Sequence, residues 1–428
     1  MIRVFYSLLL YLLTPVIALY LLRRSRRQPE YRQHWRERWM LYGRGPVSAT
    51  QPIWLHAVSV GEMRAAVPLV KALQARYPDR RLLLTCMTPT GRATARDLYG
   101  DTADIHYLPY DYPCAVARFL QRYRPAIGLF VDTEVWPNLL ATCQRRGIPV
   151  WLVNARLSEK SARGYHRIGW LAKPAFARFT GVLAQSPSDA ERLTALNAHN
   201  VQVSGNIKFD NLPDAAQVEK GRHWRTLFGD RPVLLLASSR DGEEALFTQA
   251  LRAAGWSTDA LLIVVPRHPQ RFDEAAALLN AAGWQTQRRS QWDETPLSPA
   301  VQVLVGDSMG EMHAWFAACD VAVIGGSLLP FGSQNLIEAC AIGAPVLLGP
   351  STFNFAQSAA EAVAAGAAFQ LADAAIVAEE AVALLADPAS CKTMGAAGQT
   401  FAAVHRGATV RMMTALGASL PAIESKIP

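Results

Sequence analysis

The sequence predicts an α/β protein built from two doubly wound parallel sheets. Its 428 residues exceed what one hydrophobic core usually supports, so two domains are the default. From Ile53 onward, apolar runs of strand length alternate with helical patterns, the rhythm of parallel strands joined by crossover helices. That rhythm stops in a charged stretch, residues 210–231, which holds Pro213, and then restarts. Half of the residues are hydrophobic and 18% are charged, which excludes disorder and suits a large α/β core.

The elements follow in chain order. An apolar run from Val4 to Leu22 is interrupted only by Ser7, Thr14 and Pro15. As one helix it spans about 28 Å, close to the ~30 Å hydrocarbon core of a bilayer. Residues 1–28 are therefore expected to form a membrane-anchor helix with a basic collar. Arg23, Arg24, Arg26 and Arg27 follow at once and put the rest of the chain on the cytoplasmic face of an inner membrane. A cleaved signal peptide is the alternative, but a short positive start and a small-residue cleavage site are both wanting. Residues 28–44 mix Arg with Tyr31, Trp35, Trp39 and Tyr42, as a helix lying on anionic lipid would. A linker whose aromatics pack on the first domain is the second reading.

In the first domain, residues 29–212, IWLHAVS, RLLLTCM, AIGLFVD, VWLVNAR, GVLAQS and VQVSG read as strands. Residues 213–230 read as a linker. In the second domain, residues 231–400, PVLLLASS, ALLIVVP, VQVLVG, VAVIGG and PVLLG read as strands, and residues 401–428 as terminal helices. Two such units are expected to share a cleft lined by loops at the carboxyl ends of the strands.

The formal net charge of +8 is unevenly placed. Residues 1–45 hold nine Arg against Glu30 and Glu37, a net +7, which leaves +1 for all the rest. The basic balance belongs to one end of the chain and does not describe a nucleic-acid-binding face. The cysteines at 86, 114, 143, 319, 340 and 391 show no paired spacing, which fits reduced thiols rather than disulfides or a zinc site. Metal-ligand, P-loop and nucleophile-elbow motifs are absent.

The candidate chemistry sits at predicted strand ends. Glu62 follows IWLHAVS at a strand-to-helix turn, where it is either a general base for a substrate hydroxyl or an acid complementing the helix dipole. Glu134 lies in DTEVWPN, where Pro137 can start a helix with Thr133 as its cap. Lys208 in SGNIKFD closes the last strand of the first domain and either faces an anion or is solvated. Arg267 and His268 follow IVVP; a guanidinium there suits an anionic partner, whereas a lone histidine is more often structural. Met309 and Gly310 are expected to start a helix, with Glu311 at capping-box spacing from Ser308. In CDVAVIGGSLLPFGSQNLIEACAIGAP, Gly325-Gly326 opens a strand towards a helix whose first turn holds Asn335 and Glu338. That is a phosphate-and-ribose loop or an ordinary crossover.

Taken in order, HAVSVGE (56–62), YLPYD (107–111), TEVWPN (133–138), NARLS (154–158), SGNIKFD (204–210), PRHP (266–269), MGE (309–311), GGSLLP (325–330) and NLIEA (335–339) resemble one family closely. They look like the 3-deoxy-D-manno-octulosonic acid (Kdo) transferases of lipopolysaccharide synthesis, over nearly the whole chain. The resemblance implies a two-domain GT-B fold, no metal or other cofactor, CMP-Kdo as donor and a lipid A precursor as acceptor. It also implies inversion at the anomeric carbon. By motif, Glu62 would accept the proton, with Glu134 and Lys208 supporting the transition state. Arg267, His268, Met309, Gly310, Glu311, Asn335, Leu336, Ile337 and Glu338 would hold CMP. Outside this family, the competing readings are a GT-B transferase using a UDP-sugar on a lipid and a silent membrane-tethered nucleotide-binding protein. The chain departs from the family pattern at Arg240, Gln334 and Ser351, where many members carry histidine.

Overall fold

The structure, a computed structural model, describes residues 2–26, 28–41 and 51–420. The chain divides into two units: one runs to Asn211 and is rejoined by the chain from Arg406, the other is Leu212–His405.

The first unit carries seven strands: β1 Ile53–His56, β2 Leu82–Cys86, β3 Ala103–Tyr107, β4 Ile127–Val131, β5 Val150–Ala155, β6 Gly181–Ala184 and β7 Val201–Val203. They lie in the order β3-β2-β1-β4-β5-β6-β7, and every pairing is parallel. Helices cover both faces, so the central strands are apolar on both sides rather than alternating. Ile53, Trp54 and Leu55 are fully buried, and Trp54 packs on Phe119 and Phe130 with ring centroids 5.0 Å away in each case. The helix Ala408–Gly417 packs Ala408, Met412 and Leu416 into the core on the opposite face.

The second unit carries β8 Val233–Ser239, β9 Leu261–Pro266, β10 Thr286–Arg288, β11 Val303–Val305, β12 Val321–Ile324, β13 Val346–Leu348 and β14 Ala368–Gln370. Their order is β10-β11-β9-β8-β12-β13-β14, again parallel throughout. Each sheet has a switch point where the winding reverses, between β1 and β4 in the first and between β8 and β12 in the second. Loops leaving the carboxyl ends of strands at such a point diverge and leave room for a ligand. The three strands that the sequence reading leaves out, β3, β10 and β14, are all edge strands. An edge strand is buried only in part and needs no apolar run; β10 is simply Thr-Gln-Arg.

Three expectations change. The apolar N-terminus is not one helix but two, α1 Ile2–Leu12 and α2 Thr14–Arg24, bent by 48°. Pro15 sits in the first turn of α2 and has no N–H to give the preceding turn. No single helix among the described residues is long and apolar enough to cross a membrane; the bent pair together reaches that length and composition. Residues 28–41 are clamped to the first unit, which favours the packed-linker reading. Tyr31 is buried, Trp39 packs on Tyr110 at 5.2 Å, and Glu37 accepts from Arg92 at 2.5 Å and from the Tyr107 N–H at 2.8 Å. Tyr42 lies outside the described residues. The stretch 213–230 is no linker but holds the helix Ala215–Leu227, part of the second unit. Asp214 caps it, and Trp224 is fully buried 4.4 Å from Trp315. A Cβ added at Gly221 would sit 2.1 Å from the Ala314 carbonyl, so glycine lets this helix close on the helix Met312–Ala318.

Candidate active site

The first unit gathers its candidate residues at the β1/β4 switch point. After β1 the chain turns at Ser59, which caps the helix Val60–Ala65. Glu62 folds back on this cap: Ser59 Oγ donates to Oε1 at 2.8 Å and the Val58 N–H donates to Oε2 at 2.7 Å. This is a variant of the capping box that reaches one residue past the cap, and it fixes the carboxylate on a rigid element while leaving lone pairs on both oxygens. The turn is braced from β2. Thr88 Oγ1 donates to the Val58 carbonyl at 3.1 Å, and a Cβ added at Gly91 would lie 2.9 Å from that same oxygen. Glycine is needed there for the helix Pro89–Tyr99 to approach the Glu62 turn.

From β4 come Asp132 and Glu134. Asp132 has φ +63°, a left-handed backbone that a short polar side chain tolerates. Its Oδ1 lies 3.4 Å from both Asn154 Nδ2 and Gln185 Nε2. Asn154, fully buried at the end of β5 with φ +52°, accepts the Ile207 N–H at 3.1 Å and so ties the Lys208 turn to the same place. Thr133 does not cap the following helix; its hydroxyl donates to the Arg156 carbonyl. The helix Pro137–Arg145 is capped by Asp111 instead, whose oxygens accept the Asn138 and Leu139 N–H groups at 2.8 Å each. Glu134 therefore has no capping duty.

Burial, and then the charge of Asp132, push Glu62 up to about 7, against the pull of Ser59, Val58 and Lys208. Burial, and then the charge of Glu62, push Glu134 up to about 7 as well. Glu62 has Lys208 and two donors favouring its ionised form and Glu134 has Trp136, and an ionised Glu62 opposes the ionisation of Glu134. Asp132 is the residue that sequence reading missed, although its place beside Glu134 at a strand end was a usable signal.

The second unit places Arg267 and His268 after β9. The Arg267 N–H donates to the Ser239 carbonyl at 3.0 Å, and its Nε donates to Gln334 Oε1 at 3.1 Å. Arg240 Nη1 donates to His268 Nε2 at 3.2 Å. Burial, with the charges of Arg267, Arg240 and Arg271, holds His268 below its usual range, so it is neutral. Two positions that depart from the family pattern, Arg240 and Gln334, thus touch expected site residues directly. The third, Ser351, accepts the Gly332 N–H at 3.0 Å.

The glycine loop is not an open phosphate cradle. Fully buried Glu243 accepts the N–H groups of Gly326 (2.6 Å), Leu328 (3.0 Å), Leu329 (3.3 Å) and Arg240 (2.8 Å). Its neighbour Glu244 is equally buried and pairs with Arg271 at 2.9 Å. Beyond the loop, the helix begins at Ile337 rather than Asn335. Asn335 accepts the Ile337 N–H at 3.1 Å and donates to Glu338 Oε1 at 2.8 Å, aligning that carboxylate. Leu336 and Ile337, between them, are both buried. Likewise, the helix expected at Met309-Gly310 starts at Met312. Met309 is exposed and Gly310 turns with φ +84°. Glu311 takes a proton donor from Ser308 and is paired with Lys220 at 2.7 Å and Arg289 at 3.3 Å. Burial works against its ionisation, but these donors outweigh it and hold Glu311 below the usual carboxylate range.

Two Rossmann-like parallel units, one bearing this carboxylate pair and the other cationic and carboxylate groups at its switch point, define a glycosyltransferase of the GT-B type. The family model described as 3-Deoxy-D-manno-octulosonic-acid transferase (kdotransferase) matches residues 33–211. The 3-deoxy-D-manno-octulosonic acid transferase of Bordetella pertussis is 44% identical over 96% of this chain and 98% of its own. That of Haemophilus influenzae is 35% identical over 97% and 98%. The crystal structure of UDP-GlcNAc 2-epimerase from Neisseria meningitidis bound to UDP-GlcNAc covers 86% of this chain and 99% of its own with a TM-score of 0.59. At 14% identity it shares the fold alone. The chain belongs to the 3-deoxy-D-manno-octulosonic acid transferase family, and it is an enzyme.

Proposed function

We propose that this enzyme transfers Kdo from CMP-Kdo to a lipid A precursor at the cytoplasmic face of a membrane, inverting the anomeric carbon. The observation that carries the mechanism is Glu62, held by Ser59 and Val58 at a switch point with its carboxyl pushed up to about 7. Near neutral pH such a group is ionised often enough to act and basic enough to take a hydroxyl proton. The acceptor hydroxyl gives its proton to Glu62 as its oxygen bonds to the anomeric carbon. The bond from that carbon to the phosphate oxygen breaks on the opposite side, and its electron pair leaves with CMP. Arg267 and Arg240 answer the charge that grows on the departing phosphate, as fixed donors that need no reorganisation. Glu134, still protonated, donates a hydrogen bond, and Lys208 keeps Glu62 ionisable. Glu338, aligned by Asn335, suits the vicinal hydroxyls of a ribose.

The test separates binding from turnover. Calorimetry is expected to give Glu62→Ala the CMP affinity of the wild type, while transfer falls by about 10² or more. Wild-type turnover in Glu62→Ala would remove the base assignment. CMP binding by the wild type without any transfer would favour a silent nucleotide-binding protein.

A further inference from the structure

The bent pair α1–α2 has two unlike faces. One is seated on the first unit. Asn138 Nδ2 donates to Ser7 Oγ at 2.9 Å, Thr14 Oγ1 and the Tyr112 hydroxyl share a 2.8 Å hydrogen bond, and Leu10 packs on the core. Ser7, Leu10, Thr14, Ile17 and Leu21 recur every three or four residues, one helical stripe that runs through the bend. Ser7 and Leu21 are buried. The other stripe, Val4, Phe5, Leu8, Leu12, Val16 and Leu19, is apolar and between 60% and 75% exposed. So large a contiguous apolar strip on a folded unit marks a docking surface.

Its occupant is set by what lies next to it. In the last turn of α2 and just after it, Arg23, Arg24 and Arg26 are exposed, joined by Arg32 and Arg36; Glu30 is the one exposed acid among the described residues 23–41. An apolar stripe ending in a cationic cluster complements acyl chains beneath anionic headgroups. A protein partner would need no such charge.

The seated face decides the topology. Asn138 also donates to the Asp111 carbonyl at 2.7 Å, so α1 is wired into a polar, buried cluster of the globular unit. A helix crossing the bilayer would carry that cluster into hydrocarbon or break its bonds. The geometry points to α1 and α2 lying along one leaflet, apolar stripe inward to about 5–10 Å, with both ends on the same side as the catalytic units. This deepens the proposed function, because a lipid acceptor is drawn from the same leaflet, but its readout does not depend on turnover.

The experiment uses the full chain with an epitope tag before Met1, in sealed inner-membrane vesicles turned cytoplasmic face outward. Added protease is expected to remove the tag together with the catalytic units. A tag that survives until detergent opens the vesicles means a spanning helix and overturns the proposal. In flotation, the purified chain is expected to rise with phosphatidylethanolamine vesicles containing phosphatidylglycerol. It should do so about fivefold less with phosphatidylcholine alone. Failure to float with either removes lipid as the occupant, and equal flotation removes the role given to the arginines. Leu8→Glu with Leu12→Glu is expected to cut flotation about tenfold while detergent-phase transfer stays within about twofold. Unchanged flotation would overturn the assignment of the stripe.

Discussion

Asp132→Asn changes one charge beside the base and little else. Asparagine accepts a left-handed backbone, so φ +63° is kept, and its amide retains an oxygen for Asn154 and Gln185. Glu62 stands at about 7 against an ordinary 4.5, which is about 3.4 kcal/mol of preference for its protonated form. Burial is the largest cause and Asp132 the next, with Ser59, Val58 and Lys208 opposing. Asp132 is the first cause after burial, so the acid limb of kcat/KM is expected to move from about pH 7 to lower pH in the variant. At pH 6 only about one tenth of wild-type Glu62 is ionised, so the variant is expected to be faster there, by about fivefold for a limb moved by one pH unit. The assay is a pH–rate profile at saturating and at low acceptor, with the melting temperature followed alongside. A limb that stays in place in a folded variant would refute the electrostatic role of Asp132.

Glu62→Gln is expected to stabilise the enzyme by about 1–2 kcal/mol at pH 8 and not at all near pH 4, read as a melting shift. The sign follows from linkage. The folded carboxyl titrates above its unfolded value, so its favourable contribution holds below about 4.5 and is lost as pH rises through about 7. Glu243→Gln replaces an acceptor of four N–H groups with an amide that brings donors of its own; a loss of about 2–4 kcal/mol by denaturant titration is expected, with CMP affinity reduced. Arg240→Ala is expected to lower kcat and kcat/KM for CMP-Kdo together by about tenfold, since it removes a fixed cation beside His268 that answers charge growing in the transition state.

The central strands were legible because parallel strands covered on both faces must be apolar throughout, and Ile53–His56 or Leu261–Pro266 leave no other reading. What stayed hidden was whatever depended on a distant partner. Thr133 looked like a cap because it stands just before Pro137, yet the cap comes from Asp111 across the fold. The Gly325-Gly326 loop looked open to phosphate because its occupant, Glu243, lies far back in the chain. The helix Ala215–Leu227 passed for a linker because among its residues only Gly221 and Trp224 are buried, and the rest show no apolar stripe. Glu62 and Glu134 were visible as acids at strand ends. Their raised titration was not, because it rests on burial and on Asp132 being folded beside both of them.

The most direct measurement of the central claim is the mass of the lipid product. Purified enzyme is given a lipid A precursor with CMP-Kdo, or with a panel of UDP-sugars, and the products are weighed. The account predicts mass increments of whole Kdo units from CMP-Kdo alone, whose number also reports how many are added. Transfer from a UDP-sugar and none from CMP-Kdo would contradict it.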